Sequence, residues 1–287
     1  YTGDGLVDIF VANDGMADQL WMNNGDWTFT DVAPLRGCAL DDEGQAKAGM
    51  GVTSADFDTD SDFDILVCNL FGESDSLHRN DGSFFTDITA SKGIRTTTRH
   101  ATRFGLGWVD FNNDGFYDIF EANGKVQELG SPKTSDPYAE ENYVLLGNAQ
   151  GWQRDMTSLQ PHLIHTSRAA VFGDVNGDGG IDVLVINRDA PAYLLINQTL
   201  NQGNYVVLDV KDKYGKPALG AIVTASVGKN TIAFPVHSTW SYMAANDPKV
   251  YIGLGDEKLI KDIQVLWADG TTTTYDSFDQ GFHTLQQ

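Results

Sequence analysis

Asp56-Phe57-Asp58-Thr59-Asp60-Ser61-Asp62-Phe63-Asp64-Ile65-Leu66-Val67 is the stretch on which the reading of this chain turns. It places aspartates at positions 1, 3, 5 and 9 of a short loop and follows them with an apolar run. The pattern returns as Asp110, Asn112, Asp114 and Asp118, then as Asp174, Asn176, Asp178 and Asp182. A fourth copy, cut by the first residue, keeps Asp4 and Asp8. Four oxygen side chains within nine residues repel one another unless a hard cation sits among them. An all-oxygen set on a flexible loop suits calcium.

The spacing matches the first nine positions of an EF-hand loop, in which the seventh position gives a backbone carbonyl. Asp62, Phe116 and Gly180 hold that place. Gly115 and Gly179 stand at position 6, where the chain turns sharply, and Ser61 replaces glycine there. EF-hand loops are flanked by helices. Here the loops run into Ile9-Phe10-Val11, Ile65-Leu66-Val67, Ile119-Phe120 and Val183-Leu184-Val185-Ile186, which read as buried strands. A single copy is equally well read as a solvated Asp/Asn turn. Three copies in fixed phase with a strand point to calcium sites.

The ninth-position aspartates fall at 8, 64, 118 and 182, spaced by 56, 54 and 64 residues. Periods near fifty with several strands per unit read as propeller blades. Turn sequences follow each loop at Asn24-Gly25 and Asp81-Gly82, and related pieces recur at Leu145 to Trp152 and Leu194 to Asn197. A small-residue strand leads into each complete loop: Gly49 to Val52, Gly105 to Trp108 and Ala169 to Gly173. Glycines there suit close backbone approach at a crowded axis. Irregular insertions such as Gly124 to Glu141 stretch the period.

After Asn201 the pattern stops. Strand-like runs at 205–210, 221–227, 231–236, 250–255 and 263–267 predict a small antiparallel β-sandwich-like domain without calcium. Its predicted core includes Val207, Leu208, Ile222, Val223, Ile252, Leu254, Val265 and Trp267. The fold class is thus all-β, with residues 1–200 as propeller repeats, the first truncated, and 201–287 as a second β domain.

The 287 residues carry a net charge of -21. Three calcium ions would bring this to about -15. Such a surface repels nucleic acid and anionic membranes, and no apolar stretch is long enough to span a bilayer. Cys38 and Cys68 can pair only if the fold brings them together. Asn197-Gln198-Thr199 is a glycosylation sequon. His162 and His165 lack a third ligand for zinc. No nucleophile elbow, phosphate loop or dinucleotide fingerprint occurs, so no catalytic residue is assigned. Trp21, Trp27, Trp108, Trp152 and Trp240 serve core packing or, alternatively, glycan stacking.

The loops resemble FG-GAP/VCBS propeller repeats, as do Ala46 to Val52 and Asn69 to Glu73. The tail resembles the ASPIC/UnbV domain through Ala218 to Val223, Ser241-Tyr242, Asn246-Asp247-Pro248, Gly253-Leu254-Gly255 and Val265 to Gly270, with Trp240 departing from the small residue common there. The resemblance, to the cartilage acidic protein-like family, implies the C-terminal blades of a larger propeller. It implies a secreted or cell-surface (or periplasmic) calcium-binding scaffold for an extracellular protein or glycan. Two alternatives stand beside it. One is a structural subunit of an extracellular assembly. The other is a propeller enzyme acting on a polysaccharide or small metabolite.

Overall fold

The computed structural model describes residues 1–128, 134–159, 164–199 and 202–287. Each complete loop pattern lies between two strands of an antiparallel sheet. The first sheet holds β1 (Ile9–Val11), β2 (Gln19–Asn23) and β3 (Phe29–Asp31), followed by the short α1 (Ala33–Arg36). The second is four-stranded: β4 (Val52–Ala55), β5 (Asp64–Val67), β6 (Ser76–Asn80) and β7 (Phe85–Asp87), followed by α2 (Ile94–Thr98). The third joins β8 (Arg103–Val109) and β9 (Asp118–Asn123) to β11 (Tyr143–Asn148) and β12 (Gly151–Asp155). Between them β10 (Glu140–Glu141) pairs with β13 (Ile164–His165). The fourth holds β14 (Ser167–Gly173), β15 (Asp182–Asn187) and β16 (Tyr193–Leu195).

These sheets follow one another as blades of a propeller-like array. Their inner strands β4, β8 and β14 lie side by side. Small residues allow this. A Cβ on Gly51 would lie 2.1 Å from the Phe104 carbonyl oxygen, and one on Gly105 would lie 2.4 Å from the Ala170 nitrogen. Gly107 leaves the space that the Phe172 ring fills, 2.2 Å from where a Cβ would be. The glycine-rich inner strands are therefore a packing requirement. Among the described residues no strand pairing closes the array into a ring.

The tail forms two further sheets. One orders β20 (Val250–Gly255), β17 (Asn204–Lys211) and β23 (Gly281–Gln286). The other orders β19 (Asn230–Pro235), β18 (Ile222–Val227), β21 (Leu259–Leu266) and β22 (Thr272–Asp279). They enclose one core, with Val206, Leu208, Val223, Ile252, Val265 and Trp267 buried in it. Three expectations need correction. The module is not wholly antiparallel, because β17 and β23 run parallel. Val207 is buried on the face away from this core, since alternation sends Val206 and Leu208 inward. Ile222 is only half-buried. The expected boundary at 200/201 and His162 lie outside the described residues.

Nor is the module detached. Its segment from His237 to Asp247 runs along the inner strands. Ser241 N–H donates to the Val52 carbonyl at 3.0 Å. Ser241 Oγ accepts from Leu106 N–H at 3.0 Å and donates to the Ala170 carbonyl at 3.1 Å. One serine thus ties three consecutive blades. Trp240 stacks on Phe172 with ring centroids 5.0 Å apart, Tyr242 meets Phe104 edge-on, and Asn246 Oδ1 accepts from Phe172 N–H. Trp240, the unusual residue of this segment, fills the space over Phe172. Ser241→Ala leaves a buried amide and a buried carbonyl without partners. We expect it to destabilise the chain by about 1–3 kcal/mol, measured as a shift in denaturation midpoint.

Candidate metal centres

The three complete loops repeat one set of hydrogen bonds, which explains why the same residues recur. The first aspartate turns the loop back on itself. Asp56 accepts from the amides of Asp60 and Ser61, Asp110 from Asp114 and Gly115, and Asp174 from Asp178 and Gly179. The fifth-position carboxylates of Asp60, Asp114 and Asp178 each accept from the amide two residues on, at 2.9 Å. The ninth aspartate is a strut to the third strand of its blade or, for Asp182, to the residues just after it. One oxygen accepts from Asn80 N–H for Asp64, from Gly147 N–H for Asp118 and from Asn197 N–H for Asp182. The other accepts from the second residue of its own loop: Phe57, Phe111 or Val175.

The truncated copy keeps that strut. Asp8 accepts from Asn23 N–H at 2.9 Å and from the Tyr1 amino group at 3.1 Å. Burial opposes its charge, but these donors hold its carboxyl below the usual range. Asp4 is exposed and caps its own turn through Leu6 N–H.

The complete loops concentrate acid groups. Carboxylate oxygens of Asp56, Asp58 and Asp64 all lie within 4.8 Å of one another. Asp56 and Asp64 are buried while Asp58 faces solvent. Burial, with the charges of Asp58 and Asp60, pushes the Asp64 carboxyl up to about 8. Burial, with Asp118 and Asp114, does the same to Asp110, also to about 8. Asp118 rises to about 7 and Asp56 to about 6, chiefly through burial. Asp58 and Asp62 are raised by burial and by Asp60. A cluster that disfavours its own ionisation, built only from oxygen donors, fits a hard divalent cation. Asp56, Asp58, Asp60 and Asp64 would hold one ion with the Asp62 carbonyl. Asp110, Asn112, Asp114 and Asp118 would hold another with Phe116. Asp174, Asn176, Asp178 and Asp182 would hold a third with Gly180. In the last two loops the Asn112 and Asn176 amides donate to Asp114 and Asp178, and their Oδ1 atoms accept from the Asp114 and Asp178 N–H groups at 3.1 Å, which leaves each oxygen one further lone pair for an ion.

Positions 4 and 6 of each loop take left-handed backbone. Thr59 and Ser61 have φ of 65° and 74°, where the other loops place Asn113 and Gly115, then Gly177 and Gly179. The substitution of serine for glycine therefore carries the strain that the sequence suggests.

Other candidates are dispersed. His165 pairs with the Tyr193 hydroxyl at 2.7 Å. Cys38 and Cys68 are free and buried in different clusters. Trp108 and Trp152 are core residues, whereas Trp27 is 95% exposed. Sequence reasoning missed a buried group beside the inner strands. Arg103 Nε donates to Asp75 Oδ1 at 2.8 Å with both side chains fully buried. Burial and Asp75 hold the nearby Glu121 carboxyl well above its usual range. The signal was a glutamate in an apolar strand, Ile119-Phe120-Glu121-Ala122.

These acidic loops between blade strands, followed by a β module that reaches the inner strands, define an all-β, propeller-like array whose Asp-rich clusters could hold metal ions. Residues 1–67 match the FG-GAP-like repeat and residues 211–280 match the ASPIC and UnbV domain. Cartilage acidic protein 1 of Xenopus tropicalis is 28% identical over 287 residues, covering 93% of this chain and 40% of that protein. The human and mouse proteins of that name are each 27% identical and cover 92% of this chain. The chain spans about 40% of the length of these relatives.

Chelation should lower the melting temperature of the loaded chain, because an ion bound only to the folded state stabilises it. In chelator the raised carboxyls reverse the usual acid sensitivity. A raised folded-state pKa adds stability below the unfolded value, near 4, and loses it as pH rises through 6 to 8. Metal-free stability should therefore fall across that window, and calcium should flatten the profile in thermal melts. Ser61→Gly exchanges left-handed strain of about 1–2 kcal/mol for about 0.5–1 kcal/mol of backbone entropy. It should stabilise the chain slightly in chemical denaturation.

Proposed function

We propose that this chain is a calcium-stabilised extracellular scaffold that binds a protein or glycan. The observation that carries the proposal is the shared bonding of three oxygen-only loops. Their carboxylates are spent on amides and on a cation, which leaves the loops as frame. Localisation outside the cell is supported by likeness to cartilage acidic protein 1, and by calcium loops that suit a calcium-rich compartment.

The free end of the array is the place for a partner. The C-terminal module covers the metal-loop end. The opposite end carries a polar cleft of about 350 Å³ lined by Asp41, Glu43, Lys47, Glu73, Arg95 and Arg99. Arg95 is salt-bridged there to Asp42 and Glu43. Its mixed charge suits a protein surface. A net charge of -21 disfavours polyanions and favours basic or neutral partners. For glycans the stacking candidate is Trp27, which lies instead at the acidic-loop end, exposed at the β2–β3 hairpin tip near Asp8 with φ of 67°.

The test is binding of the calcium-loaded chain to arrayed matrix proteins and to neutral and sulfated glycans, repeated in chelator. Binding should need calcium. Arg95→Glu should weaken a protein partner about tenfold or more, and Trp27→Ala should weaken a glycan partner. Calcium-independent binding, or turnover of an arrayed polysaccharide without retention, would count against the reading and favour an enzyme.

A further inference from the structure

The metal reading leaves Gly253-Leu254-Gly255 unexplained, although it is among the most characteristic stretches of the C-terminal module. In the structure it lies on the Asp110–Asp118 loop. A Cβ at Gly253 would stand 1.9 Å from Asp110 Oδ2 and 2.9 Å from the Asn113 Cα. Asp110 Oδ2 is the oxygen that accepts from Gly115 N–H. Gly253 is not in the left-handed region, so conformational freedom does not explain it. Space for the carboxylate does. Gly255 N–H donates to the Asn113 carbonyl and Gly203 N–H to the Asn112 carbonyl, both at 2.8 Å.

The other two complete loops are held by the same module. Ala233 N–H on β19 donates to Asp56 Oδ2 at 2.9 Å in a buried bond. The Tyr251 hydroxyl accepts from Asp174 N–H at 3.2 Å and donates to Asp247 at 2.8 Å. The Tyr205 ring lies against Gly179, 2.2 Å from where a Cβ would be. Each complete loop thus meets the C-terminal module behind its first ligand or at its turn.

We propose that the C-terminal module is the outer shell of the metal sites, with Gly253, the Ala233 amide and Tyr251 positioning the first ligands Asp110, Asp56 and Asp174. Ion binding and docking of the module are then one linked equilibrium, and each strengthens the other by the same factor. The inference rests on the calcium reading above.

The experiment uses the full chain and calcium alone. Calorimetric titration compares the wild type with Gly253→Ala, Tyr251→Phe and the exposed control Lys261→Ala. Gly253→Ala should weaken one site by about 10–100-fold and spare the others. Tyr251→Phe keeps the ring and should weaken a different site by about three- to tenfold. It carries the test should Gly253→Ala not fold. Hydrogen exchange of the wild type in chelator gives a readout independent of the variants. The amides of Gly203, Ala233 and Gly255 should lose protection while those of Val223 and Val265, in the module's core, keep theirs. A wild type that binds no calcium removes the metal reading and the linkage with it. A wild type that binds calcium, with variants equal to it and the three amides still protected in chelator, overturns the linkage alone.

Discussion

Carboxylate repulsion is the constraint on which this structure depends. Each complete loop crowds acid groups, and the ninth-position aspartate of each also bonds to the third strand of its blade or, for Asp182, to the residues just after it. The loop is therefore part of the blade's frame. Without a cation, burial and like charges push the Asp64 and Asp110 carboxyls up to about 8. Whatever neutralises the loop also secures the strand pairing beneath it. Asp8 shows the same frame function, accepting from Asn23 N–H and from the Tyr1 nitrogen as Asp64 does from Asn80 and Phe57.

The second constraint is closeness at the axis. Gly51, Gly105 and Gly107 let inner strands approach to where a methyl group would collide. Strands this bare leave polar groups to satisfy, and the Ser241 segment satisfies them. Leu106 N–H and the Ala170 carbonyl are both bonded to one hydroxyl. Burying such groups without partners costs about 1–3 kcal/mol each, so the C-terminal module is a component of the propeller's interior.

The loops were legible because their chemistry is local. Asp56 to Asp64 carries spacing, turn residues and the following strand within twelve residues, and the structure returns the same bonds three times. The blade order was legible for the same reason. What was not legible is long-range. Nothing in the sequence around Ser241 shows that it reaches Val52, Leu106 and Ala170. Gly253 reads as a strand glycine until Asp110 is seen behind it. The β17–β23 parallel pairing spans the whole module, and no turn signal encodes it. The sequence reading puts Val207 with Leu208 in the core, whereas in the structure alternation pairs Leu208 with Val206, and only the opposing sheet decides which face is core.

The distribution of contacts also divides the surface by task. Metal loops and the C-terminal module occupy one end of the blades, so rigidity is concentrated there. The connections at the other end are longer and carry Arg95, Arg99, Glu73 and the exposed Phe71. Loops on a rigid scaffold tolerate variation, and recognition residues accumulate on them. A frame fixed from one end by a docked domain, and by cations where the loops hold them, leaves the other end free to vary at little cost to the fold. That arrangement sets the cleft of mixed charge apart from the loops whose motifs the sequence shows.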